Sequence, residues 1–311
     1  MFNKRSAAIG DSYRRKRFFH RFLLAAILII LVSLIPAVYF KLKDYRRNEY
    51  RDLRESFNFG LFNNAYTQSR DMLRDNPMDF FLLTINGFSA YQLGIAQINN
   101  FDTLFYINEC IWSLRKALLL REGASDGRIF YVLGKAYYNK GAGFADLAVS
   151  YLEKARASRY WAEDIPEYLG LAYAAIGDFR NSVAVFAEAL ASGHEHSDIL
   201  LLSIARSYIA LEENEQARAY LMRCLDISRD SQTIAAARLL HGNTLVKLGN
   251  YAGAENEYLK VIEEGGENAE AHYQLGELYA LAGDPTRARA EWRRAIRIDP
   301  AHGPSRSRLN I

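Results

Sequence analysis

The residues whose types could most readily take part in chemistry form a short run of histidines and carboxylates, His194-Glu195-His196 with Asp198. Imidazole nitrogens and carboxylate oxygens are ligands that zinc accepts, so this spacing is compatible with a metal site. The run follows Gly193 between two helical patterns, and a solvated turn is the interpretation we favour. The sequence therefore predicts neither a bound metal nor a cofactor.

The cysteines and one pair of glycines offer little further chemistry. Cys110 and Cys224 each fall within an amphipathic helical pattern, which predicts buried free thiols and no disulfide framework. The segment Gly141-Ala142-Gly143 lacks the Lys-Ser/Thr of a phosphate-binding loop and follows no predicted strand. Motifs of zinc proteases, serine hydrolases and dinucleotide-binding enzymes do not occur. We predict that the protein is not an enzyme; an enzyme with a novel polar site is the alternative.

A stretch of 19 uncharged residues at positions 22–40 predicts a single transmembrane helix near the N-terminus. At 1.5 Å per residue it is about 28 Å long, close to the hydrocarbon thickness of a bilayer. A cleaved signal peptide is the alternative, but the stretch is longer than a typical apolar region of that kind, and no A-x-A site follows it. We predict an uncleaved anchor.

The charge distribution bears on orientation and on partners. Residues 1–21 hold seven Lys/Arg and one acid, which leaves the rest of the chain at a net charge of −3. A mildly acidic body predicts no nucleic-acid partner. The basic tail could contact anionic lipid, but setting the membrane orientation is the role we favour. Because six Lys/Arg also follow the span, the charge difference across it is small.

We predict a cytoplasmic N-terminus and a periplasmic or extracytoplasmic body at the inner (cytoplasmic) membrane. Long domains translocate largely regardless of their charge, which is compatible with this orientation. A eukaryotic organelle receptor with a cytosolic body has the same layout and stays open as an alternative.

The rest of the chain repeats one pattern of small and aromatic residues. Its C-terminal copy contains Leu275-Gly276, Tyr279, Ala288, Trp292, Ala295 and Pro300. Small residues recur at intervals of 36, 35, 37 and 34 at Gly134, Gly170, Ala205, Gly242 and Gly276. Self-similarity at such a period is the signature of a repeat architecture.

These positions resemble the tetratricopeptide repeat (TPR), whose pattern W-x2-L-G-x2-Y, A-x3-F and P spans 34 residues. In the C-terminal copy only the leading Trp is missing, with His272 in its place. The resemblance covers about residues 46–302 and is strong from residue 127 onward. It implies an all-α fold, in which helix-turn-helix repeats form an α-solenoid with a right-handed superhelix. A Gly or Ala on the first helix of each repeat should let the second helix approach closely.

The predicted organisation is a basic cytoplasmic tail at 1–21, a transmembrane anchor at 22–40, a TPR solenoid at 41–302 and a short tail at 303–311. The second unit is irregular, since Gly87 and Ala117 are separated by 30 residues where 19 are usual. The excess around residues 94–103 predicts an elongated helix or loop. The repeat units are expected at about residues 46–79, 80–126, 127–162, 163–197, 198–234, 235–268 and 269–302.

The resemblance also implies where a partner binds. In TPR proteins the concave face, lined by the first helix of each repeat, usually holds a segment of another protein. Aromatic, aliphatic and charged residues mix on this face, as they do in protein interfaces. The carboxylate clamp of one TPR subset is missing, because Leu239 stands where that clamp has Lys. The residues assigned to the face are Tyr91, Tyr131, Lys135, Tyr138, Asn139, Leu171, Leu202, Arg206, Asn243, Tyr273 and Glu277.

We therefore predict a membrane-tethered TPR scaffold or adaptor for protein or peptide partners close to the membrane. Bacterial cell-envelope assembly, secretion or chaperoning are the expected settings. The alternative is a substrate-recognition accessory subunit of a membrane enzyme or transport complex. Self-association stays open, because the last predicted helix could also meet another copy.

Overall fold

The computed structural model describes residue 41 and residues 46–191, 197–265 and 267–310. The predicted basic tail and transmembrane span lie outside these residues, as does the run from His194 to His196. Within the described part of the chain, no helix combines the length and the hydropathy that crossing a bilayer requires.

The described residues form fifteen α-helices and no strand, so the all-α prediction is confirmed. Helix α1 covers residues 46–58. A short 3₁₀ turn at Ala142–Phe144 precedes α6. The other helices are α2 (Phe62–Asp75), α3 (Phe80–Ile95), α4 (Asn100–Ala117), α5 (Gly127–Lys140), α6 (Ala145–Ala157), α7 (Ile165–Ala175), α8 (Phe179–Ala191), α9 (Asp198–Ala210), α10 (Asn214–Ile227), α11 (Ser231–Lys247), α12 (Tyr251–Gly265), α13 (Ala269–Leu281), α14 (Pro285–Ile298) and α15 (Gly303–Leu309).

The chain divides into two compact units, with the boundary between Ser89 and Ala90 inside α3. In the first unit, Leu53 of α1, Ala65 of α2 and Leu82 of α3 are fully buried. Apolar side chains from three successive helices thus supply the core of this unit, because a single helix pair cannot bury its own apolar face.

In the second unit, each helix packs against the next one along the chain. Helices α5, α7, α9, α11 and α13 also contact one another in succession, and we call the row that they form the odd-helix layer. Each of these helices is paired with the even-numbered helix that follows it. The helical solenoid that the repeats predict is therefore confirmed.

Small residues set the distance between the helices of a pair. A Cβ atom added to Gly134 of α5 would lie 2.5 Å from Cγ of Leu152 on α6. The same atom on Gly276 of α13 would lie 2.4 Å from Nε1 of Trp292 on α14. Neither separation leaves room for a methyl group, so the prediction that the motif glycines permit close approach is confirmed.

The turn between paired helices is built the same way several times. Gly283 has φ +78°, which glycine adopts without a Cβ clash. The next residue, Asp284, donates its backbone N–H to the carbonyl of Tyr279 over 2.8 Å and so closes α13. Its carboxylate accepts a 2.9 Å hydrogen bond from the N–H of Arg287 and so caps α14. The same backbone closure recurs at Gly177-Asp178 and Gly249-Asn250.

The C-terminus differs from the short tail expected at residues 303–311, because Gly303–Leu309 forms a helix, α15, packed against α14. Ser305 is fully buried. Nε of Arg308 donates a 2.8 Å hydrogen bond to Glu277 of α13. A solenoid must shield the apolar edge of its last repeat, and this polar helix does so.

Candidate functional site

Four of the predicted face residues and two residues that were not predicted gather around one amine in the odd-helix layer. Tyr131, Lys135 and Asn139 lie four residues apart on α5 and therefore share one face of the helix. We call the whole group the tyrosine–lysine cluster; it consists of Tyr91, Tyr131, Lys135, Asn139, Asp164 and Tyr168.

The amine of Lys135 is held by a carboxylate and a phenol. Its Nζ lies 2.6 Å from Oδ2 of Asp164 and 3.0 Å from the hydroxyl of Tyr131. That hydroxyl in turn donates a 2.7 Å hydrogen bond to Oδ1 of Asp164. Only 12% of the lysine side chain is exposed, so the pair is well shielded from solvent. Asp164 directly precedes α7, and the network therefore ties α5 to the start of the next first helix.

Aromatic rings surround the same amine. Nζ of Lys135 lies 4.4 Å from the ring centroid of Tyr168, 4.9 Å from that of Tyr131 and 5.6 Å from that of Tyr91. A cation over aromatic faces at such distances is attracted by the ring quadrupole. The sequence analysis assigned Lys135 to partner binding, but its positive charge is already balanced by Asp164 within the chain. The first role of this ammonium group is to hold three tyrosine rings in place.

The phenols of the cluster are uncharged hydrogen-bonding groups. Burial raises the pKa of Tyr91 far above its ordinary range. Burial, together with the hydrogen bond to Asp164, does the same to the pKa of Tyr131. Asn139 donates from Nδ2 to the hydroxyl of Tyr91 over 3.3 Å and to the carbonyl of Lys135 over 2.9 Å. Each of these phenols keeps its proton at neutral pH.

Tyr138 lies beside the cluster and is half-buried. Its ring meets that of Tyr168 edge to face, with centroids 5.6 Å apart. Burial and the nearby carboxylate of Glu167 raise the pKa of Tyr138. The surface around the cluster therefore offers aromatic faces, phenolic hydroxyls and an amide. Such groups can bind a polypeptide by apolar contact and by neutral hydrogen bonds.

Four other predicted residues lie elsewhere in the odd-helix layer. Leu202 is buried in the core, and Leu171 is half-buried against the neighbouring core cluster. Asn243 accepts a 2.6 Å hydrogen bond from the hydroxyl of Tyr258 on the paired helix. Arg206 is exposed. Of these four, the aliphatic pair packs the core, and Arg206 offers a charge to solvent.

The last two predicted residues contact the C-terminal end of the chain. The rings of Tyr273 and His302 lie 5.5 Å apart. Glu277 forms an ion pair with Arg308 of α15. Both side chains are thus engaged by α15 or its N-cap residue His302; of these two partners only Arg308 falls in the segment that the sequence analysis treated as a tail.

Sequence reasoning missed Asp164 and Tyr168. A helix-start signal was available for Asp164, because Pro166 follows it within the first turn of α7. Tyr168 lies one position away from the register of Tyr131 within the repeat, because the equivalent position in the next repeat is occupied by Glu167. A count of aromatics across neighbouring first helices would have found it.

Metal and thiol chemistry find little support among the described residues. They contain no group of three or more His, Cys, Asp or Glu arranged to hold a metal ion. Cys110 and Cys224 are buried and free, which confirms the prediction for both thiols. Burial raises the pKa of Cys224 to about 11, with a smaller contribution from Asp198, so this thiol is protonated at neutral pH.

Comparison with known families now identifies the repeats. Two family models described as tetratricopeptide repeat match residues 200–231 and 239–302. These two segments are therefore tetratricopeptide repeats, which generally mediate protein–protein interaction. A search of curated protein sequences found no match.

Solved structures share the fold at low sequence identity. The C-terminal part of a TPR repeat-containing protein from Cytophaga hutchinsonii has a TM-score of 0.59 at 14% identity, covering 84% of this chain and all of that chain. PilF of Pseudomonas aeruginosa has a TM-score of 0.53 at 18% identity, covering 72% of this chain and 96% of its own. YrrB, described as a TPR protein with an unusual peptide-binding site, has a TM-score of 0.50 at 22% identity, covering 64% of this chain and 98% of its own.

Proposed function

We propose that this protein is a membrane-tethered scaffold that binds a segment of a partner protein on its odd-helix layer, at the tyrosine–lysine cluster. The observation that carries the proposal is the concentration of half-buried aromatic and amide side chains there, on the first helices of successive repeats. Tyrosine is enriched at protein interfaces, because it combines a large apolar face with a polar tip. No catalytic role is included in the proposal.

The geometry favours a partner segment of low charge. The ammonium group of Lys135 is paired with Asp164 and enclosed by aromatic rings. It therefore offers only a weak attraction to a carboxylate of the partner. The hydroxyl of Tyr131 already donates to Asp164. Tyr138, whose pKa is raised by burial, keeps its proton and can donate a hydrogen bond to a backbone carbonyl of the partner. A polypeptide with an apolar or aromatic side chain at its centre is therefore a better ligand than an acidic C-terminal tail.

The membrane tether rests on residues 22–40, whose 19 positions carry no charge. We place the N-terminus in the cytoplasm and the repeats outside the inner membrane. Because α1 begins soon after the span, the partner would also be at the membrane. Cell-envelope assembly, secretion or chaperoning are settings in which such a scaffold acts.

Photo-crosslinking at Tyr138 tests the binding surface. With p-benzoylphenylalanine at this position in native membranes, we expect a discrete adduct between the protein and its partner, identified by mass spectrometry. Tyr251, a half-exposed tyrosine at the start of α12, provides the matched control and should give no adduct. Equal labelling at both positions, or labelling at Tyr251 alone, would contradict the proposed surface. Capture of a catalytic complex instead of assembly proteins would favour the accessory-subunit alternative.

Protease protection tests the tether and its direction. In sealed spheroplasts, added protease should digest the repeats from outside. Deletion of residues 1–41 should release the body from the membrane fraction, because the 19 uncharged residues of the predicted anchor, 22–40, are removed. Digestion of the body solely from the cytosolic side would reverse the orientation. A truncated chain that stays with the membranes would argue against residues 22–40 as the anchor.

A further inference from the structure

Helix α4 carries an apolar stripe on its solvent-facing side. Exposed residues follow one another at intervals of four and three along the helix, which aligns them in a straight row. Phe101 is 81% exposed and Trp112 is 53% exposed. The opposite side of α4 holds the buried Ile107, Cys110 and Leu114. The row, which we call the α4 stripe, consists of Phe101, Phe105, Asn108, Trp112 and Arg115 on α4, together with Leu119 in the turn that follows the helix.

This stripe is unlike the other exposed apolar residues of the described chain. Trp161, Ile176 and Met222 are each exposed, but they lie on separate elements. Scattered single residues of this kind need no explanation, whereas three exposed aromatic residues on one side of a single helix mark an interaction surface. The stripe also lies in the second repeat unit, at about residues 80–126, which the sequence analysis identified as irregular. Helix α4 has 18 residues, compared with 13 in α6 and 13 in α8.

We propose that the α4 stripe is a self-association surface on which a second copy of this chain packs its own α4 in antiparallel orientation. The stripe is nearly symmetric about its midpoint at position 110. In a two-fold arrangement Phe101 would face Leu119 of the second copy, and Phe105 would face Arg115 of that copy. Asn108 and Trp112 meet near the axis. Every layer then combines an apolar or aromatic side chain with a partner that can cover it.

Charge on one edge of the stripe selects the antiparallel direction. Asp102 lies near the N-terminal end of α4, and Lys116 lies near its C-terminal end, two turns beyond Glu109 on the same edge. Antiparallel packing places Asp102 of each copy beside Lys116 of the other, because residues on the same edge of two antiparallel helices face each other. In parallel packing this edge faces the opposite edge of the second copy, and Asp102 and Lys116 do not pair. Glu109 of one chain lies opposite Glu109 of the second chain near the two-fold axis. This repulsion weakens the dimer but does not change the preferred antiparallel orientation. Opposite charges at the two ends of one edge of α4 are expected if a second copy of the same helix packs there, and are not required for an unrelated partner.

Charge reversal on full-length protein in detergent tests the arrangement, with sedimentation velocity as the readout. Asp102→Lys and Lys116→Asp should each raise the dissociation constant of the dimer, by about tenfold or more, because each places two pairs of like charges in contact. An equimolar mixture of the two variants should dimerise again, since a heterodimer contains both opposite-charge pairs. This rescue requires an isologous antiparallel interface. Failure of the mixture to associate more strongly than either variant alone would overturn the proposal.

Trp112→Ala provides a second variant, because its exposed ring can be removed without opening the core. It should raise the dissociation constant about tenfold or more, as expected for an aromatic residue central to an interface. Trp161→Ala, which removes another exposed indole outside the stripe, is the matched control and should leave association unchanged. Circular dichroism of each variant checks the fold. A wild-type chain that is monomeric at every concentration, or a Trp112→Ala dimer as tight as the wild type, would mean that something other than a second copy covers the stripe.

Discussion

Replacing Gly134 or Gly276 with leucine is expected to lower the free energy of unfolding by about 3 kcal/mol, because the new side chain overpacks a closed interface. The added Cβ on Gly134 would lie 2.5 Å from Cγ of Leu152 and 3.1 Å from its backbone N, so rotation of the leucine alone cannot relieve the clash. At Gly276 the obstacles are the indole of Trp292 and the carbonyl oxygen of Ala288. The midpoint of thermal unfolding should fall by about 6–12 °C.

Alanine substitutions sharpen this test. An alanine in a helix interior normally stabilises by up to about 1 kcal/mol relative to glycine. At Gly134 we expect the opposite sign, because even a single methyl group has no space. Gly143 is the matched control, since no atom lies within 4 Å of an added Cβ there, and Gly143→Ala should be nearly neutral. If Gly134→Ala were as neutral as the control, the two helices could not be as close as described. Hydrogen exchange in α5 and α6 would locate the effect, because a repeat array can unfold locally.

The repeat period carried most of the prediction of the fold. Gly134 and Gly276 were assigned to helix–helix contacts because a small residue at that phase of the repeat has no other obvious use. The turn at Gly283-Asp284 depends on local chemistry, since each residue acts through its own backbone geometry or cap. Helix α15 could not be found in this way, because Gly303–Leu309 has no counterpart in the repeat. Its formation depends on tertiary contacts, such as the one between Arg308 and Glu277.

The candidate site was predicted only in part, for a related reason. The repeat register gives the face on which Tyr131 and Lys135 lie, because both occupy first-helix positions. It does not give the contacts between repeats, which depend on how far each helix is rotated relative to the previous one. Asp164 enters the cluster from the end of a loop, and Tyr168 enters from a position one residue out of register. Whether Lys135 faces a partner or is paired internally therefore required coordinates.

An ion-pair network joins α11 to α12 around the carboxylate of Glu257. Glu257 of α12 is 7% exposed. Its carboxylate lies 3.1 Å from Nη1 of Arg238 and 3.4 Å from Nζ of Lys260. Nδ1 of His241 lies 3.9 Å away, which is too far for a hydrogen bond. Burial alone would raise the pKa of Glu257, but these neighbours outweigh it and lower the pKa to about 2.

The sign of the pH dependence follows from that shift. A carboxylate with a folded-state pKa near 2 and an unfolded pKa near 4.5 stabilises the fold fully above pH 4.5. The stabilisation is lost progressively as the pH falls from about 4.5 to about 2. Its upper limit is about 3 kcal/mol, from the free energy of one pKa unit.

Glu257→Gln should therefore lower the free energy of unfolding at pH 7 by about 3 kcal/mol, because it removes the buried partner of Arg238 and leaves that arginine only the exposed Glu264. In urea titrations the difference from the wild type should shrink markedly between pH 7 and pH 3, where the wild-type carboxylate has lost part of its advantage. Glu264→Gln is the matched control, because Glu264 pairs with the same arginine at 3.1 Å but its side chain is 54% exposed. An exposed pair contributes at most about 1 kcal/mol. Equal effects of the two substitutions, or a Glu257→Gln effect that does not change with pH, would show that burial and not the ion pair governs this part of the solenoid.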